Sequence, residues 1–229
     1  MTELLIKILI IAVTLVIYKI SLNFKKVKYM NTIPANIICA LMIYLLISVF
    51  NIDFETYNEG GKFFTFLLGP AVVTLSVPLI KNIKVLEKNY RVILWSVCIA
   101  TCFAILSVIA AGFIFKANEE IILSMAAKCV TTAVAIEITN IIGGKVEIIV
   151  LMTALSGIFG AIFGHWILKL SGIKNNLAIG VTLGFVSHVL GTARCYEVNK
   201  LQAGVSSVTL VLSGVTTALF APPIIRLIF

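Results

Sequence analysis

VILWSVCIATCFAILSVIAAGFIF, residues Val92 to Phe115, runs for 24 residues without a charge. As an α-helix it measures about 36 Å, more than the roughly 30 Å hydrocarbon core of a bilayer. A helix that is apolar all round belongs in lipid or deep inside a large protein. Seven further apolar elements surround it, roughly Leu4 to Leu22, Ile33 to Phe50, Phe63 to Ile80, Ile121 to Ile142, Val146 to Leu170, Leu177 to Ala193 and Val205 to Phe229. The whole chain has 229 residues, 60% hydrophobic and 12% charged, with a mean hydropathy of +1.11. The runs are continuous rather than alternating, which excludes a β-barrel, and the polar gaps are too short for a sizeable soluble domain. The expected fold is an all-α polytopic membrane protein forming one transmembrane domain over residues 1–229, with the lipid bilayer as its solvent.

The net charge is +8. It does not read as a nucleic-acid footprint, because the lysines lie in short loops between apolar runs, where they report topology. The loops alternate: NFKKVKYMN carries Lys25, Lys26 and Lys28, NIDFETYNEGG carries Asp53, Glu55 and Glu59, KNIKVLEKNYR carries Lys81, Lys84, Lys88 and Arg91, and KANEE carries Glu119 and Glu120. The positive-inside rule puts the first and third loops in the cytoplasm. If all eight elements cross, both termini face outside. The N-terminal run contains Glu3 and lacks a small-residue cleavage site, so a retained first helix is expected rather than a signal peptide. Cys39, Cys98, Cys102, Cys129 and Cys195 lie in or beside apolar segments without metal or disulfide spacing, and read as small buried side chains.

Three elements are irregular. FFTFLLGPAVVTLSVPLIKN, from Phe63, has Gly69-Pro70 and Pro78 as helix breakers and the hydroxyls of Thr74 and Ser76. ILSMAAKCVTTAVAIEITNIIGG, from Ile122, has Lys128, Thr131, Thr132 and Glu137. LGFVSHVLGTARCYE, from Leu183, has Ser187, His188, Gly191, Thr192, Arg194 and Glu197. Proline in a helix interior removes a hydrogen bond, and irregular backbone survives in lipid only when buried in protein or lining a wet cavity. The three are therefore expected to be broken or re-entrant and to share a polar centre. The other elements read as scaffold. Gly157, Gly160 and Gly164 recur at helical spacing and form a face for close helix packing.

The last two irregular elements overlay. Thr132-Ala133 with Glu137 and Thr192-Ala193 with Glu197 repeat the pattern T-A-x-x-x-E, and Ser156-Gly157 pairs with Ser213-Gly214. Residues 121–171 and 177–229 thus read as repeat units, each a broken element followed by a long helix rich in small residues. Such repeats place a transport site near the bilayer midplane. They are parallel if the broken elements cross and inverted if they re-enter.

Charges in the hydrocarbon zone are costly and tend to mark function. Lys128 and Arg194 are expected to bind a small carboxylate anion, helped by the hydroxyls of Thr131, Thr132, Thr192, Thr74 and Ser76 and by free backbone at a break at Gly191-Thr192. Arginine grips carboxylates through two parallel bonds. His188 can exchange protons near neutral pH, or it can serve only as a hydrogen-bonded packing group. Glu137 and Glu197 are expected to pair with the cations or to assist coupling. No nucleophile, metal or phosphate-loop motif is present, so neither an enzyme nor a cofactor nor a metal is expected.

GGKFFTFLLGPAVVTLSVPLIKN, AAKCVTTAVAIEITNIIGG and SHVLGTARCYE, in this order, resemble the LrgB/CidB membrane family, which includes YohK-type bacterial proteins and a plastid glycolate/glycerate translocator. The likeness covers about residues 55–229 and leaves residues 1–54 as scaffold helices. The family commonly has Pro-Lys-Ser and Thr-Thr-Pro in the second motif. Here Ala127 precedes Lys128, Cys129 follows it and Ala133 follows Thr132, so that element is expected to run straighter than in relatives. The resemblance implies a multi-pass protein of a bacterial-type cytoplasmic membrane. It implies either a carrier of monocarboxylates such as glycolate, glycerate or pyruvate, or an antiholin-like protein that modulates murein hydrolase activity and lysis with a small LrgA/CidA-type holin-like partner. The residues themselves favour the carrier, and by analogy with carriers of this size a homodimer is expected.

Overall fold

A computed structural model describes residues 2–24, 35–67, 70, 73 and 76–229. Expectations for Lys25, Lys26, Lys28, Gly69 and Thr74 fall outside the described residues. The described chain forms eleven α-helices and no strand. Among the described residues, four helical spans are long and apolar enough to cross a membrane: Leu5–Phe24, Glu87–Ile114, Val146–Leu170 and Lys200–Ile228. The protein is an all-α membrane protein. It divides into two compact units, Met1–Ala71 and Val72–Phe229.

The first unit contains α1 (Thr2–Phe24), α2 (Ala35–Val49) and α3 (Phe54–Phe66). Both α2 and α3 pack on α1, so α3 joins the N-terminal helices rather than the region after residue 54. Glu59 of α3 pairs with Lys7 of α1 at 3.0 Å and with Lys62. Thr14 Oγ1 and the Tyr57 hydroxyl lie 3.0 Å apart. Pro70 has helical backbone and is exposed.

The second unit contains α4 (Ser76–Lys81), α5 (Ile83–Ile114), α6 (Glu119–Met125), α7 (Thr132–Ile142), α8 (Val146–Leu170), α9 (Asn176–Val186), α10 (His188–Val198) and α11 (Lys200–Ile228). The opening stretch of sequence forms most of α5, which is lengthened at its N-terminus and kinked at Asn89. Helices α5 and α11 run side by side in the same direction. Thr101 Oγ1 lies 2.9 Å from Thr216 Oγ1, and the Phe113 and Phe229 rings stack at 5.8 Å near the far end.

The fifth expected element does not run straight. It forms α6, a turn over residues 126–131, and α7. Glu120, at the start of α6, pairs with Lys145, just before α8, at 2.9 Å. The Lys145 backbone N–H donates to Ser124 Oγ at 2.7 Å, and Gly144 lies so close that a Cβ there would be 2.7 Å from the Ser124 backbone. Both ends of the element therefore emerge on the same face, and α6–α7 is a re-entrant hairpin. The missing prolines do not prevent the break. Thr131 is extended (φ −63°, ψ 148°) ahead of α7, and Gly143 closes that helix in a left-handed conformation at φ 84°, which glycine adopts without steric cost.

The seventh element behaves the same way from the opposite face. Its tip is Ser187-His188, where His188 takes φ 38°. Gln202 Nε2, in the first turn of α11, donates to Asn176 Oδ1 at the start of α9 at 2.8 Å. Entry and exit are thus neighbours, and α9–α10 is also a hairpin. Helix α8 spans the distance between the two mouths: Lys145 precedes its first turn, and His165 toward its other end lies 2.9 Å from Gln202.

Two of the eight expected crossings therefore double back as hairpins, whose mouths lie at opposite ends of α8. Relative to eight crossings, the loops at 143–145 and 171–175 exchange sides. The correction improves the charge pattern, since Lys84, Lys88, Arg91, Lys169, Lys174 and Lys200 now gather at one end of this unit.

Candidate functional site

The two hairpin tips meet on the middle of α8. Its small-residue face receives the second tip. A Cβ on Gly157 would lie 2.7 Å from His188 Cε1, one on Gly160 would lie 1.6 Å from Ser187 Oγ, and one on Gly164 would lie 2.4 Å from Leu183 Cδ2. The predicted packing face thus has a specific occupant. From the first hairpin, Thr132 Oγ1 lies 3.1 Å from Thr153 Oγ1 of α8. Ser156 Oγ donates toward the Lys128 carbonyl and toward that of Thr153, each at 3.1 Å, and lies 3.4 Å from His188 Nε2. One serine therefore touches both tips, about 15 Å along the helix from the start of α8 and about 21 Å from its end.

Neither Ser156 nor Thr153 is singled out by the sequence. The usable signal was the Ser156-Gly157 pair, which marks the repeat register. A serine beside a glycine in a packing face can be a polar contact to whatever the glycine admits.

The break in the second hairpin lies one turn earlier than expected. Gly191 and Thr192 are inside α10, not at its start. A Cβ at Gly191 would be 2.4 Å from the Leu183 carbonyl oxygen, so this glycine lets α10 fold back against α9 after the chain has already turned. The turn itself is made by His188, a residue in a region that costs a non-glycine side chain of order 1 kcal/mol or more. His188 is only 5% exposed, and its packing on Gly157 holds it there.

Both tips end in helix N-termini. The first helical bonds are Ala135 N–H to the Thr131 carbonyl and Gly191 N–H to the Ser187 carbonyl. The preceding amides, at residues 132–134 and 188–190, have no acceptor within their own helix. Each start carries the positive end of a helix dipole. Thr131 Oγ1, Ser187 Oγ and Thr192 Oγ1 are buried without a hydrogen-bond partner. Amides and hydroxyls at two opposed half-helix starts can take up an anion.

The charged residues are placed differently from the expectation. Arg194 pairs with Glu197 on the exposed side of α10, where a guanidinium next to a carboxylate one turn away satisfies both groups. Glu137 is exposed on α7 and has no ion pair among the described residues. Lys128 presents its carbonyl to Ser156 and is among the residues that line a cavity of about 550 Å³ formed by α5, the first tip and α9. No residue of α10 lines that cavity, so Arg194 and Lys128 do not form one cation pair. Ser76 and Pro78 lie in α4, which packs on α11; the expectations for their side chains fall outside what is described. His165, given no role by the sequence, links α8 to α11 through Gln202.

These features define an all-α, multi-pass membrane protein in which two hairpins, each followed by a long helix, meet on α8. A family model described as the LrgB-like family matches residues 14–227, and the chain belongs to that family. The match extends further toward the N-terminus than the three motifs indicate. Relatives include the holin-like protein CidB of Staphylococcus epidermidis, 30% identical and covering 100% of both chains, and the holin-like protein CidB of Staphylococcus aureus, 29% identical over 97% of each. YxaC of Bacillus subtilis is 32% identical over 95% of this chain and 96% of the relative. No solved structure matches the chain.

Proposed function

We propose that the protein works in the bacterial cell membrane as the larger member of a holin-like system, modulating murein hydrolase activity and lysis beside a small partner of the LrgA/CidA type. The observation that carries this reading is the end-to-end likeness to proteins named holin-like protein CidB. The test is deletion of the gene, alone and with that of the small partner, followed by measurement of autolysis and of murein hydrolase activity. Unchanged lysis in both strains overturns the reading.

A second reading is favoured by the hairpin tips joined through Ser156. In it the protein carries a small monocarboxylate such as glycolate, glycerate or pyruvate. The carboxylate is held by the amides and hydroxyls that open α7 and α10, with His188 exchanging the coupling proton. Nothing in this reading needs covalent chemistry. The two readings become one if carboxylate flux sets the energetic state that triggers lysis. Uptake of labelled pyruvate, glycolate and glycerate into proteoliposomes, with and without a pH gradient, separates them. Saturable uptake supports the carrier, and leakage of unrelated solutes supports a holin-like pore.

A further inference from the structure

The cavity beside the first hairpin tip is an open groove on the flank of the second unit. Its walls are stripes of two helices, with Val92, Ala100, Ala104 and Ser107 on α5 and Leu177 and Val186 on α9. Small side chains at one-turn spacing, Ser96, Ala100 and Ala104, give it depth. Val92, Phe103 and Val186 line the groove and are themselves exposed, so it opens sideways. In a membrane that side is hydrocarbon. A cleft of about 550 Å³ open to it does not stay empty, because an unfilled wall forfeits its dispersion contacts.

The walls are apolar with scattered polar groups. The hydroxyls of Ser107 and Thr182 donate to carbonyls of their own helices, at Ala104 and Ala178, and their oxygens can still accept. Ser96 adds a third hydroxyl. Lys128 and Cys129 stand at the inner end, level with the middle of α8.

Charge gathers at the other end. From Val92 to Ser107 the groove follows α5 for about 22 Å, and one leaflet of the hydrocarbon core is roughly 15 Å deep. The groove therefore reaches from headgroup level to the bilayer middle. At its outer end Arg91 directly precedes Val92 on one wall, and Lys174 stands three residues before Leu177 on the other. Both are exposed, and neither has an ion pair among the described residues. Lys84, Lys88, Lys169 and Lys200 share this end of the unit with Glu87, while Glu197 is taken up by Arg194. Asn175 already accepts from the backbone amides of Leu177 and Ala178, so a phosphate arriving here is held by side chains.

We propose that the groove binds an anionic phospholipid, with one acyl chain along the α5 and α9 walls and the phosphate on Arg91 and Lys174. Each cation so close to a membrane surface favours an anionic lipid about fivefold. Because the walls come from α5, the first tip and α9, a bound chain ties both hairpins to a scaffold helix. The site is separate from the hairpin centre at Ser156, and the proposal depends on neither functional reading.

The test is native mass spectrometry of the full chain in mild detergent, titrated with phosphatidylglycerol or with phosphatidylcholine of the same acyl chains. One phosphatidylglycerol should bind about tenfold or more tighter than phosphatidylcholine. Arg91→Gln combined with Lys174→Gln should remove that preference at an unchanged melting temperature, since both side chains are exposed. Ala104→Phe, which fills the groove and leaves both cations, should remove the tight lipid in a protein that stays monodisperse. Lys128→Gln should leave it bound, and excess glycerol phosphate should not displace it. Equal affinity for the two lipids overturns the proposal, as does a preference that survives the double variant or tight binding that survives Ala104→Phe. So does loss of the lipid in Lys128→Gln alone, which would put the anion at the inner end. Displacement by glycerol phosphate would overturn it too, by making the ligand a soluble phosphate.

Discussion

Ser156 Oγ stands 3.4 Å from Nε2 of His188 while donating to the carbonyl of Lys128. A residue in the middle of one uninterrupted helix thus ties together two hairpins that enter from opposite faces. Breaks in membrane helices expose backbone groups that must be satisfied internally, and here one hydroxyl serves one tip directly and orients the ring of the other.

Ser156→Ala removes that hydroxyl without adding bulk. The expected loss is about 1 kcal/mol, the net worth of a typical hydrogen bond, read as a lower melting temperature in detergent. An unchanged melting temperature would mean that the tips hold each other without Ser156.

Gly160→Ala should be far worse than Gly214→Ala. The first would put a Cβ 1.6 Å from Ser187 Oγ, whereas the second meets nothing closer than Val134 Cγ1 at 3.7 Å. Overpacking of this kind costs about 1–3 kcal/mol, whereas alanine for glycine in an open helix position gains up to about 1 kcal/mol. Restoring space with Ser187→Gly should recover part of the Gly160→Ala loss. Equal stability of the two alanine variants would contradict the seating of the hairpin tip on α8.

Arg194→Ala should leave folding and any carboxylate uptake close to wild type, because the Arg194–Glu197 pair is exposed, and such pairs contribute about 0–1 kcal/mol. His188→Gln should instead flatten the pH dependence of uptake. Abolition of uptake by Arg194→Ala in a well-folded protein would return the guanidinium to the binding site.

Single cysteines placed at Lys145 and Lys174 should label from opposite sides of the membrane. Lys145 should share its side with Asn118, and Lys174 should share its side with Lys84. Crossing at every element predicts the reverse for positions 145 and 174, so one labelling experiment decides between re-entry and crossing.

Several features are legible in the residues themselves. The charge-free run from Val92 to Phe115 requires a membrane helix, since only a closed backbone survives in lipid. Lys128, His188 and the threonines beside them identify the elements that break, because polar groups at that depth need a protein lining. The glycines at 157, 160 and 164 announce a close contact, because a helix face without side chains has no other use in a bilayer.

The path of the broken elements was decided only by tertiary structure. Hydropathy adds up transfer costs residue by residue, and a hairpin of two half-helices has the same sum as one helix that crosses. What separates them is long-range contact: Glu120 with Lys145 and Asn176 with Gln202. The same holds for the charges. Sequence places Arg194 and Lys128 in matching elements, but the direction of a side chain depends on where its helix turns. A break at His188 rather than Gly191 rotates Arg194 outward to Glu197, and the turn at residues 126–131 gives Ser156 the Lys128 carbonyl and sets Lys128 at the wall of a largely apolar cavity. The residue types therefore determined that this protein is a membrane bundle with a polar middle. The contacts that bring the two hairpin tips onto α8 determined which groups occupy that middle.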